Sequence, residues 1–85
     1  MKIIWTRHGE DRQKEWEKKL EIKREEVENI LRNPEQIVSG DQNILIAQSK
    51  RSNGLLRVAF EDVEEGRKIL TLYWTSRVKK YWKEH

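Results

Sequence analysis

Cysteine is absent from the 85 residues, and that removes two options at once. No disulfide framework can hold the chain together, and no thiolate is available as a metal ligand or nucleophile. Small secreted domains ordinarily use such staples, so a reducing interior, the cytoplasm, is the expected setting. Long apolar runs are missing too. A membrane-spanning helix needs about 20 apolar residues, and the opening "MKIIWTRHGED" has only three between Lys2 and Thr6, short of a signal-peptide core. The chain therefore reads as soluble and unprocessed, with no membrane partner. Proline occurs once, and the glycines stand apart at 9, 40, 54 and 66, so no glycine-rich loop is present to cradle a phosphate. None of Ser39, Ser49, Ser52 and Ser76 lies in a nucleophile-elbow context. His8, Glu10 and Asp11 form no set with metal-ligand spacing beside a second cluster, so neither a metal site nor a cofactor is expected.

What the chain has in quantity is charge. Asp, Glu, Lys and Arg make up 39% of it, yet the formal net charge is only +3. The distribution is uneven. From Arg67 to His85 there are six Lys or Arg against one acid, Glu84, whereas from His8 to Gly66 ten Lys or Arg face fourteen Asp or Glu. A cationic end on a near-balanced body suits a phosphate-bearing partner. The same end carries "TLYWTSRVKKYW", Thr71 to Trp82, with both tyrosines and two of the four tryptophans.

At 10.3 kDa the length allows one domain, residues 1–85, with a thin core. "KIIW" reads as a first strand. After Gly9, "EDRQKEWEKKLE" has acids in its first turn and lysines in its last, which suits a helix dipole. His8, Arg12, Trp16 and Leu20 recur every four residues on one face, with Trp16 and Leu20 turned to the core. A second helix starts near Lys23, carries Val27, Ile30 and Leu31 on one stripe, and ends at Asn33-Pro34. The remainder reads as four strands divided by Gly40-Asp41, Asn53-Gly54 and Glu65-Gly66. Asn-Gly suits the positive φ of both central residues of a type I′ turn. In the last strand Ile69, Thr71 and Tyr73 are expected on one face and Leu70, Leu72 and Trp74 on the other. A tail helix over "SRVKKYWKEH" follows, capped by Thr75 or Ser76, with Val78 and Trp82 docking it. Trp5, Trp16 and Trp74 are assigned to the core. The predicted fold is α+β: two N-terminal helices packed on an antiparallel sheet, in the order β-α-α-β-β-β-β-α.

One short motif is set aside. "RHG" at Arg7–Gly9 is similar to the signature of the histidine phosphatases, but that chemistry needs a second active-site histidine in a longer, doubly wound chain. The other histidine here is His85.

A broader likeness rests on "HGEDRQKEWEKKLEIKREEVENILRNPE" (His8 to Glu35) together with the closing "TSRVKKYW". In these segments the chain resembles a family of small bacterial and archaeal proteins related to the BrnT branch of RelE-like toxins. The resemblance implies a compact RelE/ParE-like fold. It also implies a type II toxin–antitoxin system, in which the toxin cleaves RNA without a metal and a cognate antitoxin covers it. ParE-type relatives act on DNA gyrase instead, so fold transfers more securely than activity.

Metal-independent RNA cleavage has three tasks: removing the ribose 2′ proton, stabilising phosphate charge, and protonating the leaving oxygen. The catalytic candidates are His8, which titrates near neutrality, Arg57 and Arg77 as phosphate donors, and Tyr81 in proton transfer. Arg57 lies mid-strand with Leu55 and Ala59, opposite Leu56, Val58 and Phe60, and so on the face away from the core. Candidates for RNA contact are Arg12, Lys50, Arg51, Tyr73, Lys79 and Lys80, cations and rings of the kind that hold unstacked bases. The ordinary alternatives are surface ion pairs for the arginines, a helix-end cap for His8, and core-edge rings for the tyrosines. The expected partners are RNA, free or on the ribosome, and an antitoxin; the oligomeric state is left open. The competing reading is a non-catalytic module of the same fold that binds protein or nucleic acid.

Overall fold

The computed structural model describes residues 1–84. Its elements are β1 (Ile3–Trp5), α1 (Arg7–Leu20), α2 (Arg24–Arg32), β2 (Gln36–Ser39), β3 (Leu45–Arg51), β4 (Gly54–Val63), β5 (Gly66–Thr75) and a one-turn α3 (Val78–Tyr81). The expected order is present. The sheet, however, is mixed and not purely antiparallel: β2 to β5 form an antiparallel meander, and β1 joins the outer edge of β5 in parallel, giving β1-β5-β4-β3-β2. Returning a chain to pair in parallel requires a long crossover, and here everything between β1 and β5 supplies it.

Helix α1 begins at Arg7, two residues before Gly9, because Thr6 caps it. Thr6 Oγ1 accepts from Gly9 N at 3.0 Å and donates to Ile69 O at 2.6 Å, so one hydroxyl starts the helix and ties it to β5. The helix stops where Glu21 enters the left-handed region at φ 56 and the Ile22 N–H turns back to Trp16 O. Gln13, buried, holds the Ile22 carbonyl at 2.9 Å and secures the link into α2. Helix α2 has no side-chain cap, but Glu25 and Glu26 in its first turn complement its dipole. It buries Val27, Ile30 and Leu31.

Both helices pack on one face of the sheet, over Ala47 of β3, Leu56, Val58 and Phe60 of β4, and Ile69 and Leu72 of β5. Trp5, Trp16 and Trp74 are partly buried against that core, as their composition suggested. Burying a side chain such as Phe60 or Leu72 is worth about 1.5–3 kcal/mol each, so this single layer accounts for most of the fold's cohesion.

Two departures from the expected strand layout matter. Ala59 pairs with Thr71 but Phe60 pairs with Ile69, which leaves Leu70 as an extra residue in β5. Through this bulge Ile69 and Leu72, three apart, both face the helices, so Ile69 does not share a face with Thr71 and Tyr73. The β3–β4 hairpin also turns one residue earlier than the Asn-Gly pair suggests. Ser52 and Asn53, with φ 51 and 61, are its central residues, and Gly54 already pairs with Arg51. Gly54 serves a different purpose there. A Cβ at this position would lie 2.3 Å from the Thr75 carbonyl oxygen and 2.5 Å from the Trp74 ring, so only glycine lets β5 cross behind the hairpin.

The close approach of β5 to the start of β4 thus depends on an absent side chain. Gly54→Ala is expected to lower stability by about 1–3 kcal/mol in urea unfolding, whereas Asn53→Gly, at a positive φ that glycine accepts freely, leaves the midpoint nearly unchanged.

Candidate functional site

On the sheet face away from α1 and α2, the register lines up one polar row across four strands. Gln36 of β2 pairs with Gln48 of β3, Gln48 with Arg57 of β4, and Arg57 with Tyr73 of β5. Cross-strand neighbours on one face stand close enough to bond, and these do. Arg57 is only 6% exposed, and no carboxylate lies within ion-pair distance among the described residues. A buried charge without a counter-ion needs oriented dipoles and rings. Arg57 Nε donates to Gln48 Oε1 at 2.9 Å and its Nη1 donates to the Tyr73 hydroxyl. The Tyr81 ring lies 3.9 Å from the guanidinium carbon, a cation–π stack, and Tyr73 and Tyr81 meet edge to face at 6.5 Å. Among the described residues Nη2 has no hydrogen-bond partner. Nη2 is therefore the guanidinium donor left for a ligand on this face.

The chain after β5 folds back over this face. Gln48 Nε2 donates to the Tyr81 carbonyl at 3.0 Å and to Gln36 Oε1 at 2.9 Å. Gln36 in turn binds both sides of the Lys83 peptide: its Nε2 donates to Lys83 O and its Oε1 accepts from Lys83 N. Lys50 Nζ sits 4.6 Å over the Trp82 ring, and Leu55 on the same face is fully buried. No side-chain cap starts α3: Arg77 occupies the N-cap position, and Thr75 Oγ1 accepts the Arg77 N–H instead of capping the helix. The tail helix expected over Ser76–His85 is a single turn, and His85 lies outside the described residues.

The two tyrosines titrate in opposite directions. Burial pushes the Tyr73 hydroxyl above the usual phenol value, although the adjacent Arg57 works against that. Tyr81 is held below it, first by the neighbouring Tyr73 hydroxyl, which can donate to the phenolate, and then by Lys80 and Arg57. Lys80 Nζ lies 5.2 Å from the Tyr81 ring. Paired groups whose environments drive their ionisation apart are suited to acid and base roles.

A groove of about 280 Å³ runs beside this cluster between α1 and β5, lined by Arg12, Glu15, Trp16, Lys19, Thr71 and Tyr73 among others. It follows from the shortness of β1, which pairs only with Arg67–Ile69 and leaves the outer edge of β5 without a strand beyond that point. Arg12 is at the lip, ion-paired to Glu15 at 2.9 Å and donating to His8 Nε2 at 3.4 Å.

The structure therefore brings Arg57, Tyr73 and Tyr81 into direct contact, with Lys80 beside them and Arg12 across the groove from Tyr73. His8, exposed on α1, touches Arg12 but does not line the groove. Arg77 and Lys79 are exposed and free of carboxylate partners among the described residues, though neither bonds to or stacks on the Arg57 cluster. Arg51 points to the other face. Its guanidinium bonds Glu26 at 2.8 Å and the Leu20 carbonyl at 3.0 Å, fastening β3 to the helices, so it contributes nothing on the Arg57 side. Gln36 and Gln48 are the residues that reading the sequence missed. With the turn placed at Ser52-Asn53, counting back along the hairpin sets Gln48 opposite Arg57, whereas Gln36 on β2 has no such signal. No three or more His, Asp or Glu side chains among the described residues are grouped to hold a metal ion.

Residues 5–74 match the model of a family described as "Domain of unknown function (DUF4258)", and the chain belongs to that family. The matched span contains the row from Gln36 to Tyr73 and ends before Tyr81. Neither a curated protein nor a solved structure matches the chain.

Because Tyr73 is the first cause of the downward shift of Tyr81, Tyr73→Phe should move the Tyr81 titration up toward the ordinary phenol range. In the parent, Tyr81 ionises first and Tyr73 last. The raised Tyr73 stabilises the fold below its unfolded-state value and loses that contribution as pH rises through the folded one. The lowered Tyr81 contributes above its unfolded-state value and loses that as pH falls through the folded one. Ultraviolet difference titration of parent and variant resolves the order; a single unshifted step in the parent contradicts it.

Proposed function

We propose that this protein is a metal-independent endoribonuclease of RelE/ParE-like fold, the toxin of a type II toxin–antitoxin system acting in the cytoplasm. The observation that supports it best is the buried, carboxylate-free Arg57 held between two tyrosines of opposite titration. Tyr81, the more readily ionised of the two phenols, accepts the ribose 2′ proton once its own hydroxyl is deprotonated, and the freed oxygen bonds to phosphorus as the P–O5′ bond breaks. The leaving oxygen takes its proton from the Tyr73 hydroxyl, yielding a 2′,3′-cyclic phosphate and a 5′-hydroxyl. Arg57 Nη2, with Lys80 close by, faces the charge that grows on the non-bridging oxygens. Arg12, Trp16 and Tyr73 offer a cation and two rings to the neighbouring nucleotide in the groove. Arg77, Lys79 and Lys50, none paired to a carboxylate among the described residues, extend the cationic surface along the RNA and present the antitoxin with a charge to cover. His8, one helical turn from Arg12, accepts the Arg12 Nε–H at its Nε2 and steadies that cation at the lip.

One observation favours a second reading, a module that binds nucleic acid or protein without cutting. Tyr81 covers one face of Arg57, so access to the guanidinium is narrow. Incubating the protein with total RNA under chelator separates the two. Cleavage that persists under chelator, falls about 10²–10⁴-fold in Tyr81→Phe, and falls also in Arg57→Lys and Arg77→Ala supports the nuclease. An inert parent that still retains RNA in a salt-sensitive manner supports the module.

A further inference from the structure

We infer that Gln48, latched by Gln36, is a positioning residue that assembles the site by strapping the C-terminal segment across the sheet. The inference deepens the nuclease reading and rests on it only for its catalytic consequence.

The geometry carries it. Tyr81 belongs to a one-turn helix with no buried residue of its own. Four residues contribute too little helical cooperativity to persist alone, so Tyr81 stands over Arg57 only while the tail is docked. The polar contacts that dock it converge on two amides. Gln48, fully buried, is the hub: its Oε1 takes Arg57 Nε while its Nε2 gives to the Tyr81 carbonyl, so one planar group sets the cation and its covering ring at a fixed separation. The amide can serve only one way round. Oε1 must face Arg57, because a guanidinium has no acceptor, and that turns Nε2 toward two carbonyl oxygens. Gln36 then grips the Lys83 peptide by both its N–H and its C=O, the bonding a neighbouring strand would offer. The sheet edge is in effect continued by a side chain. Other groups facing Tyr81 are Tyr73 on β5, Lys80 on its own turn and Arg57 on β4. Removing the strap separates Tyr81 from Tyr73 and Arg57 while leaving the helix-side core untouched.

The two amides can be tested separately. Gln36→Ala removes the latch at a half-buried surface position. Gln48→Glu keeps length and the acceptor for Arg57 but cannot donate to the Tyr81 carbonyl. In both, amide hydrogen exchange at 81–83 should quicken about tenfold or more, the effect of one lost hydrogen bond, with exchange in Val58, Phe60 and Leu72 unchanged. Carbon-13 labelling of the tyrosine rings should show Tyr81 titrating closer to a free phenol. Gln36→Glu, which still accepts from Lys83 N, should recover part of the protection. Unchanged exchange and an unchanged Tyr81 titration in Gln36→Ala overturn the proposal even if Gln48→Glu fails to fold. RNA assays are read beside these: a parent that never cuts but whose tail responds as described keeps the strap and loses the nuclease, whereas a cutting parent indifferent to Gln36→Ala loses the strap.

Discussion

A guanidinium placed in the middle of a sheet sets the terms for half of this molecule. Arg57 has Gln48 and Tyr73 beside it on its face but no carboxylate among the described residues, so its charge must be met by oriented oxygens and by the electron-rich faces of rings. Gln48 and Tyr73 are at the two adjoining strand positions, and Tyr81 comes from the tail to cover what they leave. The opposite face is an ordinary apolar layer under two helices. One surface of the sheet holds the fold together, and the other keeps a costly group that stability alone does not require.

Charge elsewhere follows the same division. On the helices and their borders, arginines and lysines meet carboxylates: Lys23 joins Glu17, Arg24 bridges Glu10 and Glu28, Arg51 joins Glu26, and Arg67 joins Asp62. Along the tail and at Lys50 no such partners occur among the described residues; Lys50 and Lys80 rest on aromatic rings instead. Exposed ion pairs are worth little individually, so the difference is one of availability. The cations near the Arg57 face remain free to meet an external anion. The match to the DUF4258 family covers the sheet row, while Tyr81 arrives on residues beyond the matched span.

Much of this was legible beforehand. Apolar spacing marks α1 and α2, and the lysine-rich last turn and Asn33-Pro34 mark where they stop, whereas the Thr6 cap that starts α1 ahead of Gly9 and the shortness of α3 are not marked. Arg57 was assigned to the correct face by alternation alone. The hairpin register was not legible, because pairings built on Ser52-Asn53 or Asn53-Gly54 differ by two residues and keep every side chain on the same face. Gly54, which the Asn-Gly reading spends in the turn, is instead needed where Trp74 and Thr75 press on it, a contact distant in sequence. The Leu70 bulge is hidden for the same reason, since Ile69 and Leu72 are both apolar and either phase fits. Glutamine gives no signal of burial, so Gln36 and Gln48 became visible only once register and tail were known. The parallel partner of β1 was equally out of reach: three residues carry no record of their neighbour.

That last pairing has a temporal side. Ile3–Trp5 can complete their hydrogen bonds only with Arg67–Ile69, and the Thr6 hydroxyl that starts α1 is anchored on the same Ile69 carbonyl. The join spans most of the polypeptide, and contacts of such long sequence separation slow folding. During synthesis the apolar start of the chain must therefore wait, unpaired, until the fifth strand has emerged, and an early interval of exposure to chaperones or to other nascent chains is built into the topology.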